Sequence, residues 1–148
     1  MHRYLSAAAI VAGLLAATPA ARAGAQPAAT SKQVYWLLSG QVAPERMDDF
    51  KSLVRKIVAA TEANEPGALE YEYNVAADGT TVQIFERYTD SAAVVTHVTD
   101  LGKTFAKDLL ALFKPTAMVV FGAPDDAARK AIAVFNPAYT MPLDGFVR

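Results

Sequence analysis

Residues 69–97 read LEYEYNVAADGTTVQIFERYTDSAAVVTH, and this stretch decides the fold. Apolar and polar residues alternate strictly over 69–75, which is the period of a strand with one buried face. Asp78-Gly79 supplies a turn, and the β-branched and aromatic run 81–88 supplies a second strand, so the pair predicts an antiparallel hairpin. Thr89-Asp90-Ser91 then provides the oxygen atoms that cap the N-terminus of a helix.

The segments on either side of the hairpin complete a six-element pattern. Residues 34–42 predict a first strand, and Pro44 opens the helix that follows it. The apolar stripe of that helix falls on Met47, Phe50, Val54, Ile57, Val58 and Thr61. The second helix pauses near Gly102 and is stopped by Lys114-Pro115, after which residues 116–121 predict the last core strand. The order βαββαβ predicts an α+β, ferredoxin-like fold, in which a four-stranded antiparallel sheet carries both helices on one face.

The other face of that sheet predicts a partner. Residues 34–38 and 118–121 are apolar at successive positions, so both faces of these strands carry apolar side chains. A large exposed apolar patch marks an interface, and two sheets packed face to face would bury it. We therefore expect a homodimer with Trp36 at its interface.

Composition excludes several classes of protein. The 148 residues carry 14 basic against 15 acidic side chains and no basic run, which argues against nucleic-acid binding. The absence of cysteine excludes disulfides, thiolate metal sites and cysteine nucleophiles. The sequence also contains no glycine-rich phosphate loop and no serine-hydrolase elbow.

The N-terminus has the layout of a secretory signal peptide over residues 1–25. A basic start precedes an apolar run over 5–17, and small residues around 21–25 offer a cleavage site. The alternative is a retained membrane anchor, although a span needs about twenty apolar residues and this run is shorter. Cleavage leaves a flexible lead-in over 26–33 and an exported protein, periplasmic or secreted, without a stable membrane span. His97 is then its only histidine, so no transition-metal site is expected.

Residues 85–93, FERYTDSAA, followed by His97, resemble the signature segment of the antibiotic biosynthesis monooxygenase (ABM) domain family. Gly67-Ala68-Leu69 and the helix over 105–112 resemble the same family, so the similarity spans about residues 34–122. The resemblance implies a dimeric α+β barrel domain over 34–123. It also implies a quinol- or anthrone-type monooxygenase that works with no cofactor, neither metal nor flavin.

The chemistry of such an oxygenase selects candidate site residues. An apolar pocket must hold a base that turns a phenol or quinol into an electron-rich anion. Histidine is the residue type that titrates near neutral pH, which makes His97 the candidate base and Glu86 the candidate group that orients or stabilises it. The candidate substrate-binding residues are aromatic or amide side chains on predicted strands: Trp36, Tyr71, Tyr73, Asn74, Tyr88 and Phe121. A purely structural role is the alternative for each of these side chains.

Two functions follow from the sequence. The first is an exported, cofactor-independent monooxygenase that acts on a quinol, polyphenol or similar small aromatic. The alternative is a barrel of the same fold that binds a small molecule or a partner without catalysis.

The C-terminal region, 124–148, predicts a helix and a tail. Asp125-Asp126 supplies a cap, and apolar residues at helical spacing continue to Phe135. Asn136-Pro137 ends the helix. The apolar residues beyond it, up to Phe146, are expected to pack back over the domain or its partner and to close the cavity near His97.

Overall fold

The computed structural model describes residues 31–144. The predicted signal peptide, most of the predicted lead-in and residues 145–148, among them Phe146, lie outside the described residues. Within the described range, no helix is long and apolar enough to cross a membrane.

Strands and helices follow the predicted order as far as the fourth strand and then continue. The strands are β1 Val34–Val42, β2 Ala68–Val75, β3 Thr81–Tyr88, β4 Phe113–Gly122 and β5 Ala138–Tyr139. The helices are α1 Met47–Asn64, α2 Ser91–Thr104, α3 Ala106–Leu112 and α4 Asp126–Ile132. Single 3-10 turns precede α1 at Pro44–Arg46 and follow α4 at Ala133–Phe135.

The sheet has the order β2-β3-β1-β4-β5. The predicted hairpin is confirmed, and β1 lies antiparallel between β3 and β4. The expected four-stranded antiparallel sheet is corrected to a five-stranded mixed sheet, because β5 pairs with β4 in parallel. The amide of Thr140 donates to the carbonyl of Val120 (2.9 Å) and extends this pairing. Two residues are too few to show the period of a strand in the sequence.

The second predicted helix is divided into α2 and α3. Phe105 separates them at φ −125°, outside helical geometry, although its amide still bonds to the carbonyl of Leu101. Asp90 caps α2 by accepting a hydrogen bond from the amide of Ala93 (3.0 Å). Asp125 caps α4 in the same way, through the amide of Ala128 (2.9 Å), so the predicted C-terminal helix is confirmed.

Strand β4 begins three residues earlier than predicted and contains Pro115. The register against β1 passes from Ala117 opposite Ser39 to Pro115 opposite Gly40, which leaves Thr116 as an extra, bulged residue. A proline has no amide to donate, and it is tolerated at a bulge. The β5 pairing covers only Val119 and Val120, so Pro115 also lies on an unpaired edge.

One face of the sheet and the helices enclose the hydrophobic core. Along β1 the alternate residues Val34, Trp36 and Leu38 are buried, and α1 contributes Phe50, Leu53 and Ile57 among others. The expected stripe on α1 is largely confirmed, except that Leu53 is buried where Val54 and Val58 are half-buried.

The opposite face of the sheet carries a second set of aromatic residues. Tyr35 stacks on Phe121 with ring centroids 5.1 Å apart and planes 7° from parallel, and Phe85 lies 6.4 Å from Tyr35. All three side chains are half-buried. The sequence had suggested that Trp36 lies on this face. It lies on the other one, because it packs among the core residues and is only 2% exposed.

The close approach of β1 to β4 at the bulge generates a prediction about stability. A Cβ atom on Gly40 would lie 2.3 Å from the Phe113 ring and 2.6 Å from the carbonyl oxygen of Lys114. We expect Gly40→Ala to lower the free energy of unfolding by about 1–3 kcal/mol, as overpacked cores do. Gly102→Ala, whose Cβ meets open space in α2, should instead raise it by about 0.5–1 kcal/mol. Denaturant unfolding checks both, and an undiminished stability of Gly40→Ala would contradict the packing described.

Candidate active site

A cavity of about 160 Å³ lies between the sheet and helices α2, α3 and α4. Its walls are mainly aliphatic and aromatic side chains. The polar groups that line it are contributed by Trp36, Tyr71, Tyr73, Glu86 and His97. A dry cavity of about 150 Å³ is known to hold benzene, so this space accommodates one aromatic ring.

His97 projects from the inner side of α2 and is 1% exposed. The edge of its ring meets the Tyr71 ring, with centroids 5.1 Å apart and planes at 82°. The Tyr88 ring lies 5.3 Å away on another side. The imidazole is therefore enclosed by aromatic side chains, which fix its plane.

The carboxyl group of Glu65 forms a hydrogen bond of 2.8 Å with the Nδ1 atom of His97. The residue stands at the C-terminus of α1 and precedes Pro66, which disfavours helical geometry at the preceding position. It adopts φ −120° and ψ 77° and leaves the helix, and its side chain is only 8% exposed. Gly67 lets the chain pass close to α2, because a Cβ there would lie 2.6 Å from the Cβ of Ala93.

Glu86 approaches the other imidazole nitrogen. Its Oε2 atom lies 3.3 Å from Nε2 of His97 and accepts a hydrogen bond of 2.5 Å from the hydroxyl of Tyr88. Burial raises the pKa of Glu86, although His97, the Tyr88 hydroxyl and the Trp36 indole oppose the rise by favouring the ionised form. The carboxyl group consequently holds a proton at higher pH than an exposed glutamate does.

Two further phenols lie beside this cluster. The hydroxyl groups of Tyr71 and Tyr73 are 2.6 Å apart and share a hydrogen bond. Burial, together with the neighbouring Glu86 carboxylate, raises the pKa of both tyrosines and of Tyr88 well above the ordinary value. These phenols therefore stay protonated and act as hydrogen-bond donors rather than as bases.

Two buried nitrogen atoms in the cavity wall are left without a hydrogen-bond partner among the described residues. They are Nε2 of His97 and Nε1 of Trp36, whose indole lies close enough to Glu86 to favour its ionised form but does not have the geometry of a hydrogen bond. The 3.3 Å separation of Nε2 from Glu86 is an ion-pair distance, but the alignment is too poor for a hydrogen bond. Buried polar atoms are almost always satisfied, so a polar ligand atom is the natural partner of these two nitrogens.

The structure brings together six of the eight candidate site residues. Trp36, Tyr71, Tyr73, Glu86 and His97 line the cavity, and Tyr88 lies behind Glu86. Asn74 is exposed at its pairing with Gln83, and Phe121 belongs to the opposite face of the sheet. These two residues lie outside the cavity. Glu65 is the site residue that sequence reasoning missed, and its position before a proline at a helix end was the available signal.

The far wall of the cavity comes from α4 and the turn that follows it. Ile132, Val134 and Phe135 contribute to the lining. Beyond them, Ala138 and Tyr139 pair with β4 and Arg129 packs on the Tyr139 ring, whereas Met141 and Leu143 are 88% and 100% exposed. The far wall therefore comes from α4 and its following turn, and the described part of the tail beyond Phe135 does not line the cavity.

The acidic side chains and His97 are not arranged as a metal site. Within the described range, no group of three or more histidine, cysteine, aspartate or glutamate side chains is placed to hold a metal ion. The two carboxylates approach opposite nitrogens of one imidazole, so the three groups do not converge on a common point.

Comparison with known sequences confirms the family resemblance. The sequence profile of the antibiotic biosynthesis monooxygenase family matches residues 37–100, which run from β1 into α2 and include Glu65, Glu86 and His97. No curated protein sequence matches the chain significantly.

Solved structures share the fold. MupZ from Pseudomonas fluorescens is 19% identical with a TM-score of 0.70, over 79% of this chain and 95% of that one. SnoaB from Streptomyces nogalater, a cofactor-independent oxygenase, is 21% identical with a TM-score of 0.54, over 64% and 95%. A conserved protein from Methanosarcina mazei Go1 is 19% identical with a TM-score of 0.55, over 62% and 92%. At these identities the likeness establishes the α+β, ferredoxin-like fold of this family.

The hydrogen bond between Tyr88 and Glu86 generates a prediction. Tyr88→Phe removes a donor to a buried carboxyl group, which should cost about 1.5–3 kcal/mol of unfolding free energy. It should also raise the pKa of Glu86 further, because the hydroxyl favours the ionised form. Tyr139→Phe deletes the same atom from an exposed ring and serves as the control. Denaturant unfolding and NMR titration of the carboxyl carbon measure the two effects, and equal behaviour of the two variants would contradict the assignment.

Proposed function

Because the chain contains an antibiotic biosynthesis monooxygenase domain, we propose that it is a cofactor-independent monooxygenase. Its substrate is a quinol, polyphenol or similar aromatic with a single ring. The observation that carries the proposal is the buried Nε2 atom of His97, which makes no hydrogen bond within residues 31–144 and lies in the wall of an apolar cavity. SnoaB, which shares the fold, supports the reaction type because it oxygenates without a cofactor.

The reaction begins with transfer of a hydroxyl proton from the substrate to Nε2 of His97. The resulting phenolate is electron-rich and donates an electron to O₂, and recombination of the radical pair forms a carbon–oxygen bond. Loss of water then leaves a carbonyl group, so that a quinol and O₂ yield a hydroxyquinone and H₂O. One oxygen atom enters the product and the other leaves in water, and no external reductant is consumed.

The apolar walls support this chemistry. A phenolate in a dry site is not stabilised by solvent, and it is more easily oxidised than one in water. In this proposal the Trp36 indole and the Tyr71 and Tyr73 hydroxyls, which line the polar end, donate hydrogen bonds to a substrate oxygen. The apolar wall of Ile132, Val134 and Phe135 covers the other end of the ring.

We also propose export and dimerisation. The basic start, apolar run and small residues of 1–25 support removal of a signal peptide and a periplasmic or secreted protein. The half-buried aromatic cluster of Tyr35, Phe85 and Phe121 supports a homodimer through the face of the sheet opposite the helices, which we call the open face.

Oxygen uptake tests the catalytic proposal. An oxygen electrode measures the rate of O₂ consumption by the full protein with hydroquinones and catechols. The same rate is measured for His97→Asn and for the control Thr99→Ala, which changes an exposed residue of α2. We expect the loss of the base to lower the rate by about 10²–10⁴-fold, whereas the control keeps the wild-type rate. Binding of phenols by the wild type without uptake of O₂ would instead favour a non-catalytic binding protein.

Dimerisation predicts a different outcome for two apolar-to-acidic changes. Phe121→Asp places a charge on the open face and should give monomers in analytical ultracentrifugation. Val75→Asp, at an exposed position near the end of β2, should leave the dimer intact. A wild-type protein that sediments as a monomer at micromolar concentration would contradict the proposed dimer.

A further inference from the structure

We propose that Glu65 is a positioning residue that fixes the protonation geometry of His97. It holds the hydrogen of the imidazole on Nδ1, so that Nε2 faces the cavity as the proton acceptor, and it compensates the charge of the imidazolium ion that forms. This inference rests on the proposed function. It assigns to Glu65 the role of making Nε2 the basic nitrogen of His97.

The hydrogen-bond geometry determines which nitrogen carries the hydrogen. An ionised carboxylate only accepts hydrogen bonds, so the 2.8 Å contact requires a hydrogen on Nδ1. A neutral imidazole with its hydrogen on Nδ1 has its lone pair on Nε2. The contact of Nε2 with Glu86 is longer and misaligned, which leaves this lone pair open to a ligand in the cavity.

The two carboxyl groups beside His97 are therefore not equivalent. Glu65 makes a short, aligned hydrogen bond and comes from a different part of the chain, 32 residues before His97. Glu86 has its accepting capacity partly occupied by Tyr88, and burial raises its pKa. Glu65 is thus the aligned hydrogen-bond partner of the imidazole, whereas Glu86 is held by the Tyr88 hydroxyl.

A purely structural hydrogen bond would not require a charge at this position. Burying a carboxylate is costly, and a neutral amide would accept the same hydrogen bond at a lower cost. The negative charge becomes useful when His97 takes a proton, because an ion pair then replaces an isolated buried cation. This is the arrangement in which a buried acid orients a catalytic histidine.

The titratable groups in contact with the His97 ring come from three parts of the fold. They are Glu65 at the end of α1, Tyr71 from β2, and Glu86 and Tyr88 from β3. The three phenols of this site remain neutral, and no lysine or arginine lines the cavity in the described residues. Glu65 and Glu86 are consequently the two acidic side chains in contact with the imidazole.

Kinetics of Glu65→Gln test the role of the charge. With the phenol that the wild type oxidises fastest, kcat should fall at least about 10-fold, toward the larger losses seen when the acid of such a pair is replaced by its amide. KM should change little, because Glu65 does not line the cavity that receives the substrate. Glu62→Gln, an exposed position one turn earlier in α1, makes the same change of charge and should leave both unchanged.

The tautomer of His97 provides a measurement that needs no turnover. Nitrogen-15 NMR of the full protein, assigned with His97→Asn, should show the hydrogen on Nδ1 in the wild type. Glu65→Ala should lose this preference in favour of Nε2, the site that free histidine prefers. The amide NMR spectrum of each variant must first match that of the wild type, which shows that the variant is folded.

The outcomes separate this inference from the proposed function. If the wild-type protein takes up no O₂ but His97 carries its hydrogen on Nδ1, the proposed monooxygenase activity is contradicted and the positioning role of Glu65 is retained. A wild type with its hydrogen on Nε2 would overturn the positioning role. So would Glu65→Gln kinetics that match those of Glu62→Gln in an active enzyme.

Discussion

The constraint on which the structure depends is the burial of one histidine between two glutamates in an otherwise apolar layer. A charge cluster of this kind is tolerated only when its members satisfy one another. Pro66 takes Glu65 out of α1, Gly67 lets the loop reach α2, and the cap at Asp90 fixes where α2 begins. The surrounding phenols and apolar walls then keep water from the cluster, which gives a base at the wall of a cavity suited to one ring.

The sequence predicted the elements that local chemistry determines. The hairpin turned on Asp78-Gly79 and the Asp90 and Asp125 caps follow from rules that act over a few residues. His97 and Glu86 were found because few residue types can serve as a base. Glu65 was not found, since a glutamate at a helix end is ordinarily solvated and its partner lies 32 residues away.

For β1 and β4 it was harder to predict on which face of the sheet each side chain lies. An alternating strand such as β2 indicates its buried face, but a strand that is apolar at successive positions gives no such cue. The bulge at Thr116 also interrupts the alternation of β4, so that counting from one end misplaces the other. The sequence therefore offered both Trp36 and Phe121 for the cavity and for the interface, and the structure separates them: Trp36 lines the cavity, and Phe121 lies on the face of the sheet opposite the helices.

The most direct measurement is a crystal structure of the full protein with hydroquinone, grown and frozen without oxygen so that the ligand cannot react. The predicted result is a ring inside the cavity, with one hydroxyl oxygen within about 2.6–3.2 Å of Nε2 of His97. The Nδ1 atom should remain bonded to Glu65, and Ile132 and Phe135 should cover the opposite side of the ring. A ring bound outside the cavity, or one whose hydroxyl groups make no contact with His97, would contradict a catalytic role for this site.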